Sequence, residues 1–434
     1  MKHNVDELFP SELKARLEQL GEADIVVGIP SYNNAQTIGQ VVRAVSVGLA
    51  KYFPNHRSVI VNSDGGSKDN TQQVVMQVEA GAEDLLLVMH PVNASQRIST
   101  PYHGLPGKGS AFRTIFAVAT QLNAKVCVVV DSDLRSITPA WVELLAQPVL
   151  EYGYDYIAPY YHRHKYDGTI TNGIVYPMTR TLYGKSVRQP IGGEFGFSGK
   201  VATRFLEKEV WDTDVARFGI DIWMTVTAIA EGFRVGQAYL GAKIHDAKDP
   251  GADLTSMFRQ VVGSFFSLME SYESVWKNAQ AYENVPLFGF PFEVGVEPLT
   301  VNTERMIHAA QQGVNDLREI YTSFLSPETL ADLTKFVHRN GLGFHIPDQL
   351  WVRMIYEAAN AYHHRVLDRD HLLQSLIPLY LGRTASFVLE VTDSTAAQVE
   401  SRIEQLCHVF EVEKPYLTQR WDTVGREKPH AQPV

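Results

Sequence analysis

The segment VCVVVDSDLRSITPAW, residues 126–141, ends an apolar, mostly β-branched run with two carboxylates, Asp131 and Asp133, on either side of Ser132. Alternate side chains of an extended segment point the same way, so the two carboxylates can converge on one ion. Carboxylate oxygens are hard ligands, suited to Mg²⁺ or Mn²⁺ held jointly with phosphate oxygens. The competing role for one of the pair is to cap the helix that follows. A second stretch, GLPGKGSAF at 104–112, can offer backbone N–H groups and Lys108 to phosphate. It is not a Walker A loop, because its glycine spacing differs and no Ser or Thr follows the lysine directly. No G-x-G-x-x-G opens the first helix, which disfavours a dinucleotide site. A diphosphate with a divalent metal is the chemistry the two stretches share.

These residues need a scaffold that brings them to one edge. ADIVVGIPSYN reads as a buried strand ending at Pro30, and NAQTIGQVVRAVSVGLAKYF follows with helical spacing. SVIVNSD and DLLLVMHP read as the second and third strands, and AKVCVVVDSD as the fourth, with helical segments between them. Such β-α alternation predicts an α/β fold with a doubly wound, mainly parallel sheet. The loops PSYNN, NSDGGSKDNT, LPGKGSAFR and DSD all follow predicted strands, so they would meet in one crevice at the carboxyl edge. Beyond them, YDYIAPYY and RVGQAYLGAKIHD predict further strands and GIDIWMTVTAIAEG a helix. The Gly-, Pro- and Tyr-rich residues 162–200 read as binding loops. From VPLFGFPFEV at 285–294 onward the segments are almost all helical. The expected division is therefore 1–285, with a nucleotide half at about 24–140 and an acceptor half at 141–285, followed by a helical region at 286–434.

Bulk properties narrow the class. The 434 residues are 45% hydrophobic and 20% charged, as in an ordinary globular protein. A net charge of −10 disfavours a sequence-blind nucleic-acid binder. The two cysteines, Cys127 and Cys407, give neither a disulfide framework nor a Cys-rich zinc site, so a cytoplasmic location is expected. The N-terminal residues lack the apolar stretch of a signal peptide. No run is expected to reach the roughly 20 apolar residues needed to span a bilayer. Amphipathic helices in the C-terminal region could pair subunits into a homodimer.

The ordered series P-S-Y-N-N, S-D-G-G-S-K-D-N-T, G-K-G and D-S-D resembles that of GT-A nucleotide-sugar glycosyltransferases. DGTITNGIVYP, RQPIGGEF, FGIDIW and LGAKIHD are similar to segments of the retaining enzymes that make glucosyl-3-phosphoglycerate, mannosyl-3-phosphoglycerate and glucosylglycerate. The resemblance covers roughly Asp24 to Asp253. It implies a GT-A, Rossmann-like nucleotide-sugar domain with a mainly helical C-terminal addition. It also implies a nucleoside pocket lined by Pro30, Ser31, Tyr32 and Ser63. Asn34 falls where the family usually has a Glu. Lys108 would lie beside the nucleotide, Asp131 and Ser132 would contact it, and Asp133 would bind the metal, with His245 as second protein ligand. Glu194 and Asp221 would face the sugar hydroxyls or the acceptor, and Gly193 would bind substrate beside them. Gly168, Thr169, Thr171 and Asn172 correspond to the acceptor loop. Relatives acting on 3-phosphoglycerate carry an arginine where Thr169 stands, and a threonine cannot reproduce its two-pronged phosphate contact.

The resulting expectation is a metal-dependent, retaining glycosyltransferase. It would move glucose, or alternatively mannose, from UDP-glucose, GDP-glucose or GDP-mannose to D-glycerate or, as the alternative, 3-phosphoglycerate. Retaining enzymes of this kind have no evident covalent nucleophile, so a leaving phosphate oxygen would help deprotonate the acceptor. Two rivals remain at this level. A sugar-phosphate nucleotidyltransferase would share the metal and loop chemistry, but its N-terminal Gly-x-Gly-T-R-like run is missing. A catalytically silent nucleotide-sugar sensor would not need Asp131, Asp133 and His245 together. Trp211, Trp223 and Trp276 are expected in the core, and His162 and His164 on a basic rim.

Overall fold

The structure, a computed structural model, describes residues 8–78, 96–101, 105–244, 255–291, 295, 299–339 and 343–423. The chain forms two compact units. One comprises Met1–Arg163, Val187–Ala247 and Asn284–Glu297, and the other His164–Ser186, Lys248–Glu283 and Pro298–Val434. The division is thus not the single cut expected near residue 285. The segment 164–186, which holds the acceptor loop, packs with helices written far later in the chain, and local patterning carries no trace of such long-range packing.

The first unit is built on an eight-stranded sheet. Its strands are β1 (Ile25–Ser31), β2 (Ser58–Asp64), β3 (Gln96–Pro101), β4 (Val126–Val129), β5 (Tyr156–His162), β6 (Phe195–Ser198), β7 (Val235–Ala242) and β8 (Leu287–Phe288). Their order across the sheet is β3-β2-β1-β4-β6-β5-β7-β8. β6 pairs antiparallel with both β4 and β5, whereas the other pairings are parallel. β1 and β4 are buried along their whole lengths, as expected of strands covered on both faces. On one face, the helices Ile38–Tyr52 and Pro139–Tyr152 set Val41, Val45, Trp141 and Leu145 against Val27, Val126 and Val128. On the other, Phe116 of the helix Lys108–Gln121 meets Phe197 at 5.4 Å and Phe205 at 5.7 Å. Each such buried side chain contributes roughly 1.5–3 kcal/mol relative to exposure.

Two strand assignments change. The segment DLLLVMHP lies outside the described residues, and the strand beside β2 is instead Gln96–Pro101. β6 arises within GEFGFSGK, a segment the sequence marks only as loop. Trp211 and Trp223 are buried in this unit, and Trp276 in the other.

The second unit is helical. Its helix Arg369–Glu390 is long and apolar enough by length and composition to cross a membrane, but 67% of its apolar window is buried, as in the core helix of a folded unit. Leu372, Leu376, Leu379 and Tyr380 supply that buried surface. Arg383 of this helix donates to Asp348 Oδ1 at 2.6 Å, and Arg402 to Asp348 Oδ2 at 2.8 Å and Glu390 Oε2 at 2.9 Å. Both guanidinium groups are thereby neutralised within the helical unit.

Candidate active site

Parallel pairing of β1 with β2 on one side and β4 on the other puts their carboxyl ends side by side, at the point where strand order reverses. The first two loops there are bolted to each other by their own polar side chains. Asn33 N–H donates to Ser67 Oγ at 2.8 Å, Asn34 N–H to Thr71 Oγ1 at 2.9 Å and Ala35 N–H to Asp69 Oδ2 at 3.0 Å. Asn34 also reaches the D-S-D loop, its Oδ1 accepting from Ser132 Oγ at 2.8 Å, while Thr37 donates to the Ser132 carbonyl at 2.8 Å. Asn34 and Ser132 therefore join two loops. Ser63 is wholly buried, so it does not line an open nucleoside pocket, and Pro30 and Ser31 are buried with it. Tyr32 is 62% exposed at this edge.

Asp64, unremarked in the sequence, organises the second loop. Wholly buried, it accepts from Ser31 Oγ at 2.8 Å, Ser67 N–H at 2.7 Å, Gly66 N–H at 2.9 Å and Gln72 Nε2 at 2.9 Å. Burial opposes ionisation, but the hydrogen bonds prevail and hold its carboxyl below the ordinary value. A depressed folded-state pKa stabilises above the unfolded value of about 3.9, and that contribution is lost as pH falls through the folded value. Asp64→Asn should therefore lower stability at neutral pH and lose less of it on acidification. Denaturant melts from pH 7 to 2.5 should show the gap between the two proteins narrowing as pH falls below the unfolded value of about 3.9; parallel curves would remove Asp64 from the acid transition.

The Gly-Lys-Gly stretch packs closely against a neighbouring turn. A Cβ on Gly109 would fall 1.8 Å from the Val215 carbonyl oxygen, so the glycine lets the Asp214–Ala216 turn lie directly against the helix start. The Gly109 N–H itself donates to the Arg217 carbonyl at 3.2 Å. Lys108 points inward, 2.8 Å from Asp131 Oδ1 and 3.2 Å from Asp221 Oδ1. Lys243, just past β7, donates to Asp131 Oδ2 at 2.9 Å, the Gly192 carbonyl at 2.8 Å, and Glu194 Oε1 and Oε2 at 2.8 and 2.9 Å. Tyr161 hydroxyl donates to Glu194 as well. Acids and bases thus alternate along Asp221, Lys108, Asp131, Lys243 and Glu194.

That chain corrects the expectation that Glu194 and Asp221 face a substrate. Glu194 is fully buried with both oxygens on Lys243, and Asp221 is 8% exposed beside Lys108. Burial raises both of their pKa values despite the nearby ammonium groups. For Asp131 burial works in the same sense, but Lys108 and Lys243 overcome it and hold the carboxyl well below the usual range. Gly193 sits at φ +96°, and a Cβ there would come within 2.3 Å of Asp131 Oδ2 and 2.8 Å of Lys243 Nζ. Its place is beside this cluster, as a clearance rather than a contact. Lys243 carries no local signal; it matters only once three segments converge.

Asp133 differs from its neighbour. Half-buried at the end of β4, it makes no hydrogen bond or ion pair with any described residue. Among the described residues no three His, Cys, Asp or Glu side chains form a metal cluster, and His245 lies outside those residues. One available carboxylate nonetheless fits a hard cation whose other ligands are phosphate oxygens and water.

The residues expected to form an acceptor loop belong to the helical unit. Gly168 adopts φ +68°, and its N–H donates to Asp167 Oδ1 at 2.7 Å. Thr169 and Thr171 are buried, and the Thr169 hydroxyl is hydrogen-bonded to that of Tyr380. Thr169 and Asn172 line a cavity with Trp351, Tyr380, Arg383 and Arg402.

The family model for the mannosylglycerate synthase GT domain matches residues 32–271, just over half of the chain. No curated protein matches significantly. Among solved structures, glucosyl-3-phosphoglycerate synthase from Mycobacterium tuberculosis in complex with Mg²⁺ and uridine diphosphate is 22% identical, with 60% of this chain and 85% of that chain covered and a TM-score of 0.42. The same enzyme with Mn²⁺, UDP-glucose and phosphoglyceric acid is 21% identical, covering 59% and 83%, with a TM-score of 0.42.

Proposed function

We infer the reaction from one premise: the chain belongs to the mannosylglycerate synthase GT-domain family and is a glycosyltransferase. Within that class, we propose that it transfers glucose, with mannose as the alternative, from a nucleotide diphosphate to D-glycerate with retention of anomeric configuration. Asp133, with His245, would hold a divalent cation, which when bound supplies charge neutralisation for the departing diphosphate. Tyr32 would cover the base, and Asp131, held from both sides by lysines, would meet the nucleotide. Glu194 and Asp221 keep those lysines in place and need not act as a glycosidase pair.

One observation carries the choice of acceptor: four basic side chains of the helical unit, Arg180, Arg383, Arg402 and Lys165, are already committed. Arg383 and Arg402 are paired with Asp348 and Glu390. Arg180 is paired with Glu404 and Glu411, and Lys165 donates to the Val391 carbonyl at 3.0 Å. Thr169 itself is neutral. A second phosphate dianion would have to displace one of these pairings, whereas the hydroxyls of glycerate need only neutral partners. The test is a competition between equal D-glycerate and 3-phosphoglycerate with UDP-glucose or GDP-mannose and Mn²⁺, the products being separated by charge. D-Glycerate should be preferred in kcat/KM by about tenfold or more, the scale of one charged contact. A preference for the phosphorylated acceptor would overturn the assignment.

A further inference from the structure

We infer that Lys243 is a positioning residue of the transfer reaction, fixing the Asp131 carboxylate in the orientation in which it meets the nucleotide. The inference rests on the reading above. An ammonium group has three N–H donors. Lys243 has four acceptor oxygens within 2.9 Å: Asp131 Oδ2, the Gly192 carbonyl and both oxygens of Glu194. Its side chain is 5% exposed. No donor is left for a substrate, so whatever it does for the reaction it does through Asp131 and Glu194.

The sheet order makes the reach informative. β7 is separated from β4 by β6 and β5, yet the residue after β7 crosses to the carboxylate beyond the end of β4. On the way it takes in the Gly192–Glu194 turn that leads into β6. Three chain segments are therefore aligned on one nitrogen. Asp131 needs that second hold. Lys108 binds only Oδ1 and is shared with Asp221, whereas Lys243 binds Oδ2, and two opposed contacts fix the carboxylate plane. A buried ammonium is an expensive way to fill space, because its desolvation is recovered only by near-ideal pairing. Orientation of Asp131 is what an apolar side chain at 243 could not provide.

Two variants separate positioning from simple charge balance. Lys243→Met leaves Asp221, Asp131 and Glu194 against Lys108 alone and should lower the melting temperature. The double variant Lys243→Met/Glu194→Gln leaves two carboxylates and one lysine, so the formal charge of −1 carried by the original three carboxylates and two lysines is restored. Its melting temperature should return toward that of the wild type. Its kcat should nonetheless remain about 100-fold down, the cost of an ångström-scale misplacement. UDP or GDP binding in Mn²⁺, followed by calorimetry, should weaken about tenfold in both variants, while the acceptor KM stays within about threefold. Recovery of kcat and nucleotide affinity together with melting temperature would overturn the inference. So would wild-type values in the single variant, or a parallel loss of stability and activity in both. A wild-type protein that neither binds UDP or GDP nor transfers sugar would instead refute the reaction, and this inference with it.

Discussion

Asp133→Ala should abolish sugar transfer and leave the protein folded. The carboxylate has no partner among the described residues and is half-buried at a strand end, so its removal costs the fold little, within about 0.5 kcal/mol. Its loss in the reaction is much larger. Charge compensation of a leaving diphosphate is worth several kcal/mol, so turnover should fall on the order of 10³-fold or more. Excess EDTA should do the same to the wild type. A thermal readout independent of turnover is available, because UDP with Mn²⁺ should raise the melting temperature of the wild type by mass action and not that of the variant. Wild-type activity in EDTA, or an equal thermal shift in the variant, would move the metal away from Asp133. Asp131→Ala makes a contrasting control, since it strips both lysines of their shared partner and should damage the fold itself.

Gly193→Ala is the second large effect. At φ +96° a side chain is strained wherever it points, at about 1–3 kcal/mol. Here it also points at the Asp131–Lys243 pair, with a Cβ 2.3 Å from Asp131 Oδ2. The neighbours cannot yield without breaking the ion pair, because Lys108 holds Asp131 from the other side. Turnover should drop about 100-fold, with a lower melting temperature. Gly192→Ala would push into the Pro159 ring, 2.0 Å from its Cγ, so its side chain strains the fold from the other side, while its carbonyl stays a Lys243 partner. A Gly193→Ala protein with wild-type kcat and nucleotide affinity would mean that the cluster tolerates displacement and does not govern the reaction.

How much of this was legible in the sequence depended on how local the cause is. β1, β2 and the end of β4 are written in apolar runs, and the carboxylates after Val130 announce a site without any partner. β6 was not legible: four residues, two of them aromatic, become a strand only by antiparallel pairing with β4 and β5. Asn34 and Ser132 resembled ligand contacts because polar loop residues bonding each other look the same, in one dimension, as polar loop residues awaiting a ligand. Glu194 misled for a related reason. A carboxylate beside glycines suggests substrate binding until the lysine that occupies it, 49 residues later, comes into view. Within LGAKIHD the histidine has an obvious chemistry and the lysine does not, so Lys243 stayed hidden behind His245.

The interleaving of the two units sets an order on the birth of the protein. The segment His164–Ser186 leaves the ribosome well before its packing partners, because Arg180 pairs with Glu404 and Glu411, and Tyr176 with Glu404. At roughly 5–20 residues per second, more than 200 residues of synthesis impose a wait on the order of 10–50 s. The sheet unit likewise gains its edge strand β8 only once Leu287–Phe288 has emerged. Throughout that interval a nascent chain carries the buried faces of Tyr176, Met178 and Leu182 uncovered. Stopping synthesis near residue 285 would leave them so for good, and the acceptor loop, encoded early, is among the last pieces to acquire its shape.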